Sequence, residues 1–167
     1  MDEKAKLEMP PPFEEAMRRH EREIMRFVMR STHDRDDALD LFQETWLRAY
    51  RAYPQLDSAS ALRPWLYRIA TNLCLNRRRD RMRRARVIAE GETVEGDQAD
   101  AASGGGYDGV MHLRTIIERL PNKQRAALMM RKFAGLDYAE IAAALGCSSE
   151  SARAGVYQAL KKLKASE

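Results

Sequence analysis

The sequence predicts an all-α protein made of two small helical domains joined by a flexible acidic linker. Three observations carry that prediction. Apolar residues recur at intervals of three and four in both halves, and no stretch alternates as a strand would. From about Val87 to Gly109 the periodicity fails, giving way to acids and then Ala-Ala-Ser-Gly-Gly-Gly. An unpatterned segment of that length is unusual inside one compact domain, so it reads as a boundary. Charge, finally, is segregated. Arg77, Arg78, Arg79, Arg81, Arg83, Arg84 and Arg86 crowd together with Asp80 as the only acid, and Glu90, Glu92, Glu95, Asp97, Asp100 and Asp108 follow with no base before Arg114. Such segregation suits nucleic-acid binding better than the net charge of +4 suggests.

Taken in order, residues 1–12 read as a disordered tail ending in the Pro10–Pro12 run. A first helix is expected from about Phe13 to Arg30, with Met17, Ile24, Phe27 and Val28 on its apolar face. A second runs from about Asp34 to Tyr53, with Ala38, Leu41, Phe42, Thr45, Ala49 and Tyr53 on one side. Asp34, Asp36 and Asp37 favour its positive N-terminal end, and Pro54 stops it. The small, polar loop after it offers Ser60 as a cap for the third helix. That helix spans about Pro64 to Arg84, with Trp65, Leu66, Ile69, Ala70, Leu73 and Cys74 apolar and Arg68, Asn72 and Asn76 opposite. Arginine late in a helix is stabilising in itself, so part of the arginine run has a purely structural reason. The domains are therefore placed at 13–84 and 110–167, with the linker at 85–109.

The C-terminal part reads as a short helix His112–Arg119, a second opened by Pro121 and ended by Gly135, a third over Asp137–Leu145, and a last from Ser149 to about Lys164. The final two have the form of a helix-turn-helix. Ile141, Ala142 and Leu145 pack the first, Gly146 supplies the turn, and Ser148 or Ser149 caps the second. Ala152, Val156, Ala159, Leu160 and Leu163 would face inward, leaving Arg153, Ala154, Tyr157, Gln158 and Lys161 outside. A plain helical hairpin has the same pattern, but the AEIAAALG-C-S-S spacing favours DNA binding.

Composition excludes several classes. Apolar residues at 44% are enough for a core, and charged residues at 32% are above the usual quarter. Cys74 and Cys147 are distant from each other, so no disulfide framework or CxxC site is expected and the compartment reads as reducing, cytoplasmic. No signal-peptide core or membrane span is visible. No catalytic motif appears, and no metal or other cofactor is expected. His33 beside Asp34, Asp36 and Asp37 could imitate a metal cluster, as could His20 or His112 with nearby acids, but the acids are those of a helix start.

Two separated strings resemble one family. DALDLFQETWLRAYRAYPQL with LRPWLYRIATNLCLNRRRDRMRR resembles the second conserved region of extracytoplasmic-function sigma factors, and LRTIIERLPNKQRAALMMRKFAGLDYAEIAAALGCSSESARAGVYQALKKL resembles their fourth. The likeness covers about Phe13 to Leu163, in the family's order. It implies a promoter-recognition subunit, not an enzyme, whose partners are core RNA polymerase, through the largest-subunit clamp coiled coil and the flap, and promoter DNA. An anti-sigma factor is a further partner common in the family. Asp40, Gln43, Glu44, Leu47 and Arg48 would lie at the clamp, although periodicity alone reads them as a solvated face.

The resemblance makes Leu56, Asp57, Ser58, Ala59 and Ser60 part of the loop that holds a base flipped from the minus-ten element. Trp65, Tyr67, Arg68, Asn72, Asn76, Arg77, Arg78, Arg79 and Arg81 would grip the melted strand by phosphate contacts, amide hydrogen bonds and stacking. Trp65 is equally readable as core. Ser148, Ser149, Glu150, Ser151, Arg153, Ala154, Tyr157, Gln158 and Lys161 would read the minus-thirty-five element in duplex DNA. Gly155 and Gln158 stand where the family commonly has basic residues; Gly155 would let the backbone approach DNA closely, and promoter sequence cannot be carried over. The rival reading is a helix-turn-helix regulator binding an operator, which leaves the WLYRIATN helix and its arginines without a purpose.

Overall fold

The computed structural model describes residues 8–32, 34–91 and 108–165. His33, most of the tail and the greater part of the linker lie outside them. Seven α-helices are present among the described residues, without strands: α1 (Phe13–Ser31), α2 (Arg35–Ala52), α3 (Leu62–Glu90), α4 (Asp108–Arg119), α5 (Asn122–Phe133), α6 (Tyr138–Leu145) and α7 (Ser149–Lys164). Two short 3-10 turns, Tyr53–Gln55 and Ala59–Ala61, connect α2 to α3.

Local chemistry explains the boundaries. Asp34 caps α2 by accepting from the Asp37 amide at 3.3 Å. Asp137 and Glu140 form a reciprocal capping box at the start of α6, with bonds of 2.8 and 2.9 Å. Gly146 ends α6 at φ 64°, a left-handed conformation that glycine adopts without steric cost. Ser148 caps α7 through the Ser151 amide at 3.1 Å, deciding between the two serines.

α1, α2 and α3 pack around Ile24, Phe27, Val28, Leu41, Leu66 and Tyr67. The Phe27 and Tyr67 rings meet edge-on at 5.1 Å, an arrangement worth about 0.5–1.5 kcal/mol beyond the area it buries. Trp46, which the periodicity analysis did not single out, is buried one turn after Phe42, and the two rings meet edge-on. In the C-terminal half α7 lies on α5 and α6, with Ala127, Met130, Ile141, Ala152, Val156 and Ala159 between them.

Four expectations need correction. Residues 8–12 are ordered against the bundle: the Tyr53 hydroxyl donates to the Pro11 carbonyl at 2.6 Å, and the Ala59 amide to the Glu8 carbonyl at 2.8 Å. α3 continues through residues expected to start the linker, because Arg-Val-Ile-Ala-Glu contains no breaker before Gly91, and a solvated helix needs no apolar periodicity. Ser60 does not cap α3; it lies in the preceding 3-10 turn, whose cap is Ser58. Pro121 precedes α5 as its cap residue and does not open it from within.

The halves are docked on each other. α3 packs against α6, and α1 against α5. Arg63 is the central fastener, donating to Glu23 at 3.2 Å, Glu140 at 2.8 Å and the Ala134 carbonyl at 3.0 Å. Its guanidinium also stacks over the Tyr67 ring at 5.5 Å.

Candidate nucleic-acid interface

α3 and α7 carry most of the residues expected to meet nucleic acid. On α7 a single face packs inward, so the opposite face is left to solvent. Ser148, Ser149, Glu150, Ser151, Arg153, Ala154, Tyr157, Gln158 and Lys161 are all exposed. Arg153 is held in place by stacking 5.1 Å from the centre of the Tyr138 ring, which Arg131 also approaches at 4.9 Å. Tyr138 therefore orients a candidate DNA-contacting cation, a role that its place at the first turn of α6 did not reveal. Gly155 turns toward α5, where an added Cβ would meet the Ala127 Cβ at an ordinary 3.6 Å. The space left by its missing side chain therefore lies toward α5 and not on the outer face, where the expectation placed it.

On α3 the expected residues divide. Arg68, Asn72, Asn76 and Arg79 are exposed at steps of three and four, forming one polar stripe. Such a stripe offers cations for phosphates and amides for base edges. The loop before it presents Asp57 and Ser60 openly, with Leu56, Ser58 and Ala59 half-buried. Trp65 is half-buried, its ring 6.2 Å from Tyr53, so it packs on the core and keeps one edge outside.

Tyr67 is a correction. Its side chain is fully buried, and its hydroxyl donates to Glu23 at 3.1 Å, so its ring is not available to a base. Burial, then the charge of Glu23, raises its phenol pKa well above the ordinary value. For Glu23 burial works the same way, but the His20 hydrogen bond and the charge of Arg63 outweigh it and hold the carboxyl below the usual range. Arg78 turns toward the other half, and Arg77 toward α2 of its own. Arg77 pairs with Asp37, and Arg78 donates to the Glu118 carbonyl. Arg81 follows them, 4.0 Å from Glu118. Helical rotation explains the split: positions 76 and 79 lie on one side of α3, and 77, 78 and 81 on the other.

The residues expected at the polymerase clamp converge. Asp40, Gln43, Glu44, Leu47 and Arg48 all line one groove of about 640 Å³ between α2 and the later turns of α3. Arg48 donates to Glu44 at 2.7 Å, and Leu47 is 45% exposed, an apolar point inside a charged rim. Asn76 and Arg79 border the same groove, so the residues expected at the clamp adjoin those expected to meet the melted strand. Cys74 is a free, buried thiol whose pKa burial pushes up to about 12, leaving it unreactive at neutral pH. No described helix is long and apolar enough to cross a membrane.

Comparison with known proteins agrees with this geometry. Residues 16–84 match the Sigma-70 region 2 family and residues 111–163 the Sigma-70, region 4 family. The chain is 33% identical to the RNA polymerase sigma-H factor of Pseudomonas aeruginosa, covering 84% of this chain and 78% of that protein. It is 32% identical to the ECF RNA polymerase sigma-E factor of Salmonella typhimurium, covering 74% and 70%. Against the ECF sigma factor SigE of Mycolicibacterium smegmatis it is 31% identical, covering 92% of this chain but 61% of the relative. Among solved structures, the sigma factor RpoE of Bartonella quintana, in complex with the anti-sigma factor NepR, superposes with a TM-score of 0.68 at 24% identity, covering 92% and 95%. CnrH, in complex with the cytosolic domain of CnrY, gives 0.64 at 22%, covering 92% and 85%. At these identities the structural likeness concerns the fold.

Proposed function

The chain belongs to the extracytoplasmic-function class of RNA polymerase sigma factors, and from that premise we propose how its two halves divide promoter recognition. It acts as a polymerase subunit that binds core enzyme and promoter DNA, not as a free-standing operator-binding regulator. The reading assigns the groove lined by Asp40, Gln43, Glu44, Leu47 and Arg48 to the clamp of the largest subunit. The loop Leu56–Ser60 and the stripe Arg68, Asn72, Asn76 and Arg79 take the minus-ten element. Capture of a flipped base and of the single strand then shifts melting without hydrolysis. The exposed face of α7 takes the minus-thirty-five element as duplex, with Arg153, Tyr157 and Gln158 nearest the bases. The observation that carries the reading is the coexistence, in one chain, of the α3 stripe beside the groove and the wholly exposed reading face of α7.

A geometric consequence follows. The two elements are separated by about 25 base pairs, roughly 85 Å at 3.4 Å per step. A compact chain of this length has a radius of gyration of about 15 Å. Both elements are therefore met only when the halves come apart, breaking the Arg63 and Arg78 contacts. Seventeen residues lie between Glu90 and Asp108, enough to reach about 60 Å when extended. Opening also frees Arg78 and Arg81 for phosphates, which reconciles their place in the interface with a minus-ten role, while Arg77 keeps its partner Asp37 within its own half. The work would be done in the bacterial cytoplasm, where the polymerase is. An anti-sigma partner would act by keeping the polymerase-binding surfaces covered.

Transcription by purified bacterial core polymerase on a randomised promoter library, with and without the chain, tests this. Discrete start sites appearing only with the protein are expected, with both elements conserved among the selected promoters. Start sites sharing an upstream element but no minus-ten element would refute the division proposed, and failure to co-elute with core polymerase would refute the clamp assignment.

A further inference from the structure

Where α1, α3, α4 and α5 converge, a cavity of about 340 Å³ lies between the halves. Its size is in the range of small-molecule sites. Six arginines line it: Arg30, Arg77, Arg78, Arg81, Arg114 and Arg125. Among the described residues only two carboxylates, Asp37 and Glu118, share the lining. Several of the cations are occupied. Arg77 has Asp37, Arg78 and Arg114 donate to the carbonyls of Glu118 and Thr32, and Arg30 lies over the Phe133 ring.

Arg125 is different. It is 6% exposed, and its Nε is buried without an acceptor among the described residues. Burial, and next the nearby charge of Arg78, lower its pKa to about 10, so it remains charged at neutral pH. The charge of Glu118 offsets only part of that cost; a buried guanidinium with an unpartnered N–H is costly, and the cost falls when an anion meets it.

We propose that this cavity binds a small organic phosphate, an anion with two or more phosphate charges on an apolar or aromatic body. Guanidinium forks match phosphate oxygens in geometry and charge. Leu113, Ile117, Met129 and Phe133 form an apolar wall for the remainder of the molecule. Because α1 and α3 supply one side and α4 and α5 the other, an occupied site ties the halves together by binding only their docked arrangement.

Calorimetric titration of the full chain with adenosine diphosphate, paired with thermal unfolding, tests the proposal; inorganic pyrophosphate serves as the second probe. The expected result is saturable binding at one site per chain, a raised Tm, and pyrophosphate at least tenfold weaker. Arg125→Met should weaken nucleotide binding at least tenfold while the Tm without ligand holds or rises, since a buried charge with an unpartnered N–H has gone. Leu113→Glu, at a partly exposed position of the wall, should abolish binding with the fold intact, which keeps the test decisive if Arg125→Met fails to fold. Arg83→Met removes an exposed charge outside the cavity and should leave affinity within twofold. Absence of saturable binding overturns the proposal. So does equal weakening in Arg83→Met and Arg125→Met, since binding would then follow net charge alone. Pyrophosphate matching the nucleotide would overturn the assignment of an organic body.

Discussion

Tyr67 on α3 and Tyr157 on α7 sit on the two helices assigned to promoter DNA, and they have opposite environments. Tyr67 is 0% exposed and Tyr157 is 63% exposed. The difference comes from how many sides of each helix are packed. α7 packs on one side only, so its 3.6-residue period alone sorts inside from outside. α3 is 29 residues long and is clasped by α1 and α2 on one side and by α5 and α6 on another. Along such a helix a polar or aromatic residue has more than two possible destinations. Tyr67 goes to the core, Arg68 to solvent and Arg63 to the other half. An amphipathic pattern is thus a good guide to a helix packed on one side and a poor one to a helix packed on several.

The largest expected effect tests that contrast directly. Tyr67→Ala should cost about 3–5 kcal/mol in denaturant unfolding, as for other buried aromatic truncations. Tyr157→Ala should change stability by less than about 0.5 kcal/mol yet alter the upstream element recovered from a randomised promoter library. Similar stability costs for the two would erase the distinction.

Next in size is the fastener between halves. Arg63→Met leaves Glu23 and Glu140 without their shared cation. Its side chain is 30% exposed, so solvent screening reduces the loss to about 1–2 kcal/mol. Fluorescence energy transfer between dyes placed on the two halves should fall in the variant. Unchanged transfer would mean that apolar packing alone holds the halves together.

The same contact has a pH signature. Because the folded state holds Glu23 below its ordinary pKa, the unfolded chain binds more protons as the solution is acidified. The stabilisation is fully present above about pH 4.3, the ordinary carboxylate value, and is lost as pH falls through the depressed folded value. Glu23→Gln should therefore flatten the acid limb of a stability profile between about pH 5 and 3. An unaltered limb would place the acid sensitivity elsewhere.

Gly155 carries the smallest prediction. Its position against Ala127 has room for a methyl group, and helical glycine is entropically expensive, so Gly155→Ala should stabilise by about 0.4–1 kcal/mol. The preferred upstream element should stay the same. A changed element would return Gly155 to the DNA-facing side.

Much of this molecule is decided locally. The helical class, both ends of α7, the stop at Gly146 and the exposed face of α7 follow from periodicity, capping and glycine conformation, all of which act within a few residues. The resemblance to sigma factors was legible in the order of two motifs for the same reason, since each is a short, contiguous string. What lay beyond reach depends on residues far apart in the chain. Arg63 reaches Glu140 across 77 positions, Arg78 reaches the end of α4, and residues 8–12 fold back on the Tyr53 turn. No spacing rule foretells such meetings, because a guanidinium pairs with whichever carboxylate or carbonyl the packed helices bring near. The sequence by itself determined which helices form and which residues are candidates for nucleic acid. Only the tertiary structure decided which of those cations face solvent and which are occupied in holding the two halves together.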